Sequence, residues 1–88
     1  MQERAELIAV RPYGKVHVKL KSVLNARGIS RNYLARSINA RFEVVDKWYN
    51  DQVSKLDGDI LARMCFVLQC QIEDIIEYLP PDEAEAAK

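Results

Sequence analysis

The chain holds one histidine and two cysteines among 88 residues, and those scarcities remove most catalytic and metal chemistry at once. A structural zinc takes about four Cys or His ligands. Cys65 and Cys70 lie five apart in ARMCFVLQC, far in sequence from His17, a spacing that fits no zinc or redox pattern. They read as buried structural cysteines, behaving as small hydrophobes. One histidine and no carboxylates paired in an apolar setting leave nothing for a triad or an acid-base dyad, so neither an enzyme nor a metal site is expected. Glycine and proline are few, 3 of each, and no low-complexity tract appears, which excludes a linker-rich or repetitive chain. No apolar run reaches the roughly 18 residues of a membrane span. The opening MQERAELIAV lacks the basic, apolar, small-residue order of a secretory signal, so a cytoplasmic protein without membrane contact is expected.

What remains is 49% hydrophobic and 30% charged, the composition of one small globular domain. A chain of this size hides only about 60% of its unfolded surface, which leaves no room for a buried cofactor and makes a binding module the default. Net charge is zero, with 13 basic and 13 acidic residues, and taken alone that argues against a nucleic-acid partner. The distribution says otherwise. Through Lys55 there are 11 basic residues against 5 acidic, and from Leu56 onward 2 against 8. That split is expected if the first two thirds face a polyanion and the rest points away, although ordinary solvated charge on a small domain gives the same totals.

Residues 1–17 read as an N-terminal arm. Pro12 and Gly14 break any helix there, and in KVHVKLK the apolar residues alternate with Lys15, His17, Lys19 and Lys21, the period of a short strand or extended lead-in, with His17 a solvated member. Leu20, Val23 and Leu24 then take helical spacing and Gly28 closes that segment, giving a first helix over about 18–27. Ser30 is a good cap for a second helix, about 31–38, with Leu34, Ala35 and Ile38 inward. Asn39 tolerates the positive φ of a sharp turn. A third helix, about 42–49, buries Val45 and Trp48, and a fourth, about 58–68, carries the stripe Ile60, Leu61, Met64, Cys65 and Leu68. The last helix is expected over about 72–78, stopped by Pro80-Pro81, with residues 80–88 a flexible tail.

Two short helices joined by a three-to-four-residue turn, with one helix before and two after, form the layout of a helix-turn-helix domain. Over 18–79 the chain also resembles the Cro/C1-type helix-turn-helix family of small bacterial and phage repressors. Arg27-Gly28-Ile29-Ser30 is similar to the family's joint between helices 1 and 2, and Leu34-Ala35 resembles its Leu-Ala pair. Val45-Asp46-Lys47-Trp48-Tyr49-Asn50 resembles the end of its recognition helix, and Leu61-Ala62-Arg63-Met64-Cys65 with Cys70 to Tyr78 resemble its last two helices. Departures are Asn39 at the turn glycine, Ala40 after it, Arg41 at the usual Ser or Thr cap, Leu24 where many relatives carry Arg, and Asp51 at the closing glycine. The resemblance implies a five-helix, all-α, lambda-repressor-like DNA-binding domain with a short extended N-terminal arm.

It further implies sequence-specific binding of double-stranded DNA by a transcriptional regulator, with helix 3 in the major groove, helix 2 across the backbone and no cofactor. By position Arg31 and Asn32 at the start of helix 2 and Arg41 are phosphate donors. Lys47 reaches a base edge or a phosphate, and Phe42 a thymine methyl unless it staples the turn. Glu43 accepts from cytosine or pairs with Lys47 four residues on. Asn50 caps its helix or bonds a phosphate. Glu43 and Asp46 put negative charge on the groove-facing side, which favours an alternative: a protein-interaction module of the same fold, an antitoxin or phage-switch component with weak or lost DNA binding. A homodimer is expected, through Phe66, Tyr78 and Leu79 or through the arm, whose alternating segment could pair with its own copy.

Overall fold

A computed structural model of the chain describes residues 12–86. In chain order these form β1 (Lys15–Val18), α1 (Leu20–Arg27), α2 (Arg31–Ser37), α3 (Phe42–Tyr49), α4 (Gly58–Leu68), α5 (Ile72–Ile75), β2 (Ile76–Leu79) and α6 (Pro81–Ala86). The first four helices fall where the 3.6-residue period puts them, because each is bracketed by residues suited to starting or ending a helix. Gly28 ends α1 in the left-handed region at φ 64. Ser30 then opens α2, its Oγ accepting from the Tyr33 amide at 3.0 Å. Asp57 does the same for α4 through the amides of Asp59 and Ile60.

One core joins the helices. Leu20 and Leu24 of α1, Leu34, Ala35 and Ile38 from the second helix and its end, Val45 and Trp48 of α3, Leu61, Met64 and Leu68 of α4, and Ile75 of α5 are all buried. The inward faces expected for helices 2 and 3 are therefore the observed ones. No helix of the described residues is long and apolar enough to cross a membrane.

The all-α, five-helix expectation needs correction. The described residues contain six helices and a two-stranded sheet. The helix expected over 72–78 stops at Ile75, where Ile76 turns extended at φ −130 and ψ 155. Ile76 to Leu79 then pair antiparallel with β1, Val18 opposite Ile76 and Lys15 opposite Leu79. The reason is local: Ile75 and Ile76 are β-branched and poorly suited to a helix, and β1 offers unpaired backbone groups that a strand can satisfy. The alternating segment thus finds a partner strand within the chain, along one of its two edges. Beyond Pro80 there is order too. Pro81 stands at the first position of α6, where its missing N–H costs nothing, and Asp82 and Glu83 occupy the first turn, where the helix dipole favours acid. Residues 1–11 of the arm and residues 87–88 lie outside the described residues.

Gly14, at φ 84, leads into β1 so close to the Leu79 carbonyl that a Cβ would collide with it. The end of α3 fixes the other side of the strand. Asp51, left-handed at φ 56, accepts from the Val18 amide on Oδ1 at 3.0 Å, while its Oδ2 lies 2.8 Å from Nδ1 of His17 and 3.4 Å from Nζ of Lys15. Burial raises the Asp51 carboxyl, but these three partners outweigh it and hold the group below the usual carboxylate value. His17 is accordingly half-buried against a carboxylate and not free in solvent, as the alternation alone suggested.

Candidate nucleic-acid interface

The turn between α2 and α3 is built from backbone geometry. Asn39 takes φ 56, and the Ala40 amide returns to the Ala35 carbonyl at 2.9 Å. Arg63 on α4 braces the turn from behind, donating to the Ile38 carbonyl at 3.0 Å while Asp59 holds its other terminal nitrogen at 2.8 Å. Arg63 was no candidate from sequence; its role depends on a contact 25 positions away.

With Val45 and Trp48 turned inward, Phe42, Glu43 and Lys47 of α3 and the residues at its two ends, Arg41 and Asn50, are all exposed. Arg41 stands at the cap position in extended conformation, and its side chain makes no capping bond, leaving the guanidinium outward. Lys47 is exposed, and the ion pairs of the described residues do not include Glu43 with Lys47. Asn50 acts as a cap: its Nδ2 donates to the Asp46 carbonyl at 3.0 Å and to Asp46 Oδ1 at 3.2 Å. Asn32 is exposed on the first turn of α2.

Arg31 departs most from a simple solvent-facing phosphate donor. Its guanidinium donates to Asp46 Oδ1 at 2.6 Å, tying the first turn of α2 to the middle of α3. The same group lies over the ring of Tyr49, 4.5 Å from its centre, and 5.6 Å from that of Phe42. Lys21 of α1 approaches Tyr49 to 5.8 Å, and the Tyr49 hydroxyl donates to Asn25 at 3.3 Å. Cations and aromatic rings therefore alternate from α1 across α3 to α2, and Asp46 is engaged as part of that row rather than standing as a free negative charge. Sequence reading missed Lys21 and Tyr49. Tyr49 carries little signal, since its ring is half-buried at the edge of the core and its cation partners come from two other helices.

A model of the Cro/C1-type HTH DNA-binding domain matches residues 19–81. The chain belongs to the Cro/C1-type helix-turn-helix DNA-binding family. Among solved structures, a candidate DNA-binding protein from Bacteroides fragilis superposes with a TM-score of 0.64 at 17% identity, covering 72% of this chain and 100% of that one. The transcriptional regulator VanUg superposes with a TM-score of 0.65 at 22% identity, covering 81% of this chain and 93% of that one. These likenesses support the fold. No curated protein matches the chain.

Of the residues expected at a dimer face, Phe66 stands on α4 and Tyr78 and Leu79 on β2. Phe66 is 77% exposed on α4, beside a groove it lines with Ile38, Asn39 and Arg63. Tyr78 and Leu79 lie on β2 and not on a helix, and the exposed Tyr78 donates its hydroxyl to the Tyr13 carbonyl at 2.7 Å.

Proposed function

We propose that this protein is a sequence-specific double-stranded DNA-binding transcriptional regulator that lays α3 in the major groove and α2 across the backbone. The observation that carries this is the α2-turn-α3 unit itself. Its apolar side is used up in the core, and its outer side offers Arg41, Phe42, Glu43, Lys47 and Asn50 along one short helix. Residues 18–79 make up the DNA-binding unit, with Arg31, Asn32 and Arg41 on phosphates and Lys47 at a base edge. Asn50 keeps its cap and approaches the backbone. Phe42 reaches a thymine methyl, and Glu43 meets a cytosine amino group.

The test is a salt series on duplex binding. With 11 of the 13 basic residues before Leu56, the log-log slope is expected at about −3 to −6. Lys47→Ala should weaken a selected site more than random duplex, whereas Arg41→Ala weakens both alike. A flat salt response rejects DNA binding and leaves the protein-interaction reading, which the exposed Phe66 favours. We further propose a homodimer through Phe66 with Tyr78 and Leu79, since two recognition helices about 34 Å apart reach successive major grooves. Sedimentation should give twice 10.1 kDa for the wild type and a monomer for Phe66→Glu. A wild-type monomer that binds tightly removes the dimer.

A further inference from the structure

Cys65 and Cys70 are the chain's two cysteines, and the way α4 ends brings them to one corner. Gln69 turns left-handed at φ 53, and the Cys70 amide donates back to the Cys65 carbonyl at 3.1 Å. That is the long-range bond of a Schellman helix ending, whose two outer residues, here 65 and 70, characteristically put their side chains in contact. Both residues are half-buried, neither sealed in the core nor fully open. Burial pushes the Cys70 thiol up and the neighbouring Cys65 sulfur adds to the push, while the Arg27 guanidinium, which donates to the Leu68 carbonyl in the same corner, pulls against it. A spacing that matches no redox motif thus becomes a neighbouring thiol pair through the geometry of a helix end.

We propose that Cys65 and Cys70 form a redox-modification site, a dithiol that closes into an intrachain disulfide on meeting a small-molecule disulfide of the glutathione type. The Cys65 thiolate attacks one sulfur of oxidised glutathione, making a Cys65–glutathione bond and expelling one glutathione thiolate, which takes up a proton equal to the one Cys65 lost. Cys70 then loses its proton to solvent and attacks the Cys65 sulfur, and the second glutathione thiolate leaves and is protonated. Two protein thiols are oxidised and one glutathione disulfide is reduced to two thiols. Because the Cys70 thiol is pushed up, its step accelerates as pH rises. The new bond ties the last turn of α4 to the approach to α5, which delivers Ile75 to the core and continues into β2. The α2-α3 face takes no part, so closure changes how firmly the corner is held and leaves the surface of Arg41 and Lys47 alone.

The experiment equilibrates the full chain with graded mixtures of reduced and oxidised glutathione, once folded and once unfolded in urea. Free thiols are trapped by alkylation and the masses are read. The folded chain should end as a monomer about 2 Da lighter, carrying no glutathione, at a ratio at least about tenfold more reducing than the unfolded chain requires. By linkage the same factor, about 1.4 kcal/mol, then appears as added stability of the oxidised fold. Cys70→Ser should stop as a single glutathione adduct. Equal midpoints for folded and unfolded chain would overturn the proposal, as would a folded wild type that stops at the adduct or links two chains.

Discussion

Replacing Asp46 by alanine should weaken DNA binding, although it removes a negative charge from the helix proposed to enter the groove. Two effects oppose each other. A unit charge about 10 Å from a phosphate in a water-like dielectric is repelled by about 0.4 kcal/mol, and a Debye length of about 8 Å reduces that further, so removing the charge gains about twofold in affinity at most. Against this stands Arg31, whose guanidinium Asp46 holds at 2.6 Å while it lies 4.5 Å from the Tyr49 ring centre. Released, the arginine must be ordered afresh when DNA binds, at a cost of about 0.5 to 1.5 kcal/mol for a rotamer-rich side chain. The ordering cost is the larger, and the net of about 0.1 to 1.4 kcal/mol is a loss of up to about tenfold.

The double-mutant cycle separates the two effects, with affinities read by fluorescence anisotropy on a labelled duplex at fixed salt. In an Arg31→Ala background Asp46 has no cation left to position and keeps only the Asn50 amide, which also holds to the Asp46 carbonyl, so Asp46→Ala should there be close to neutral. Stability must be followed by urea unfolding in parallel. With side chains 40% and 35% exposed, the ion pair is worth no more than about 1 kcal/mol to the fold, and the variant should remain folded under assay conditions. If Asp46→Ala tightens binding in both backgrounds, Asp46 is a plain repulsive charge and the positioning argument is refuted.

Trp48→Ala should cost about 3 to 5 kcal/mol, enough to unfold most of a domain this small, because Trp48 is only 2% exposed; a thermal melt like that of the wild type would place it outside the core. Asp51→Asn should keep the left-handed backbone, which asparagine tolerates, while losing about 0.5 to 1 kcal/mol at neutral pH as the bonds to His17 and Lys15 weaken. The Asp51 carboxyl is held below its ordinary value in the fold, so its contribution is full above the unfolded-state value and is lost as pH falls through the folded one. Urea midpoints of wild type and variant should therefore converge in acid, and a gap that persists there would mean that the carboxylate charge is not what Asp51 supplies.

The main helices were legible because their signals are local. Ser30 and Asp57 each place an acceptor before an apolar stripe, Gly28 follows one, and the positions of Val45 and Trp48 set the register of α3 without reference to the rest of the chain. The sheet was half legible. The period of two in β1 marks a strand, but its partner is the segment Ile76 to Leu79, where Glu73 and Asp74 upstream advertise a helix start that local signals carry on through residues which pair instead. Strand pairing joins positions about sixty apart, and no single window contains both.

The interface shows the same limit at the level of one side chain. Helical period alone puts Asp46 on the outer side of α3, and there an unpartnered carboxylate can only oppose a phosphate. Arg31 is 15 positions earlier on another helix, and only the crossing of α2 over α3 brings it to Asp46. Once they meet, the carboxylate's charge is offset and its geometry becomes useful, since it fixes where a cation sits between Phe42 and Tyr49. Counting charges along α3 overstates the repulsion for that reason. Within the set proposed to face the groove, Glu43 is the acid that keeps an unshared charge among the described ion pairs, so on that proposal selectivity against phosphate or for a cytosine amino group falls to Glu43 rather than to Asp46.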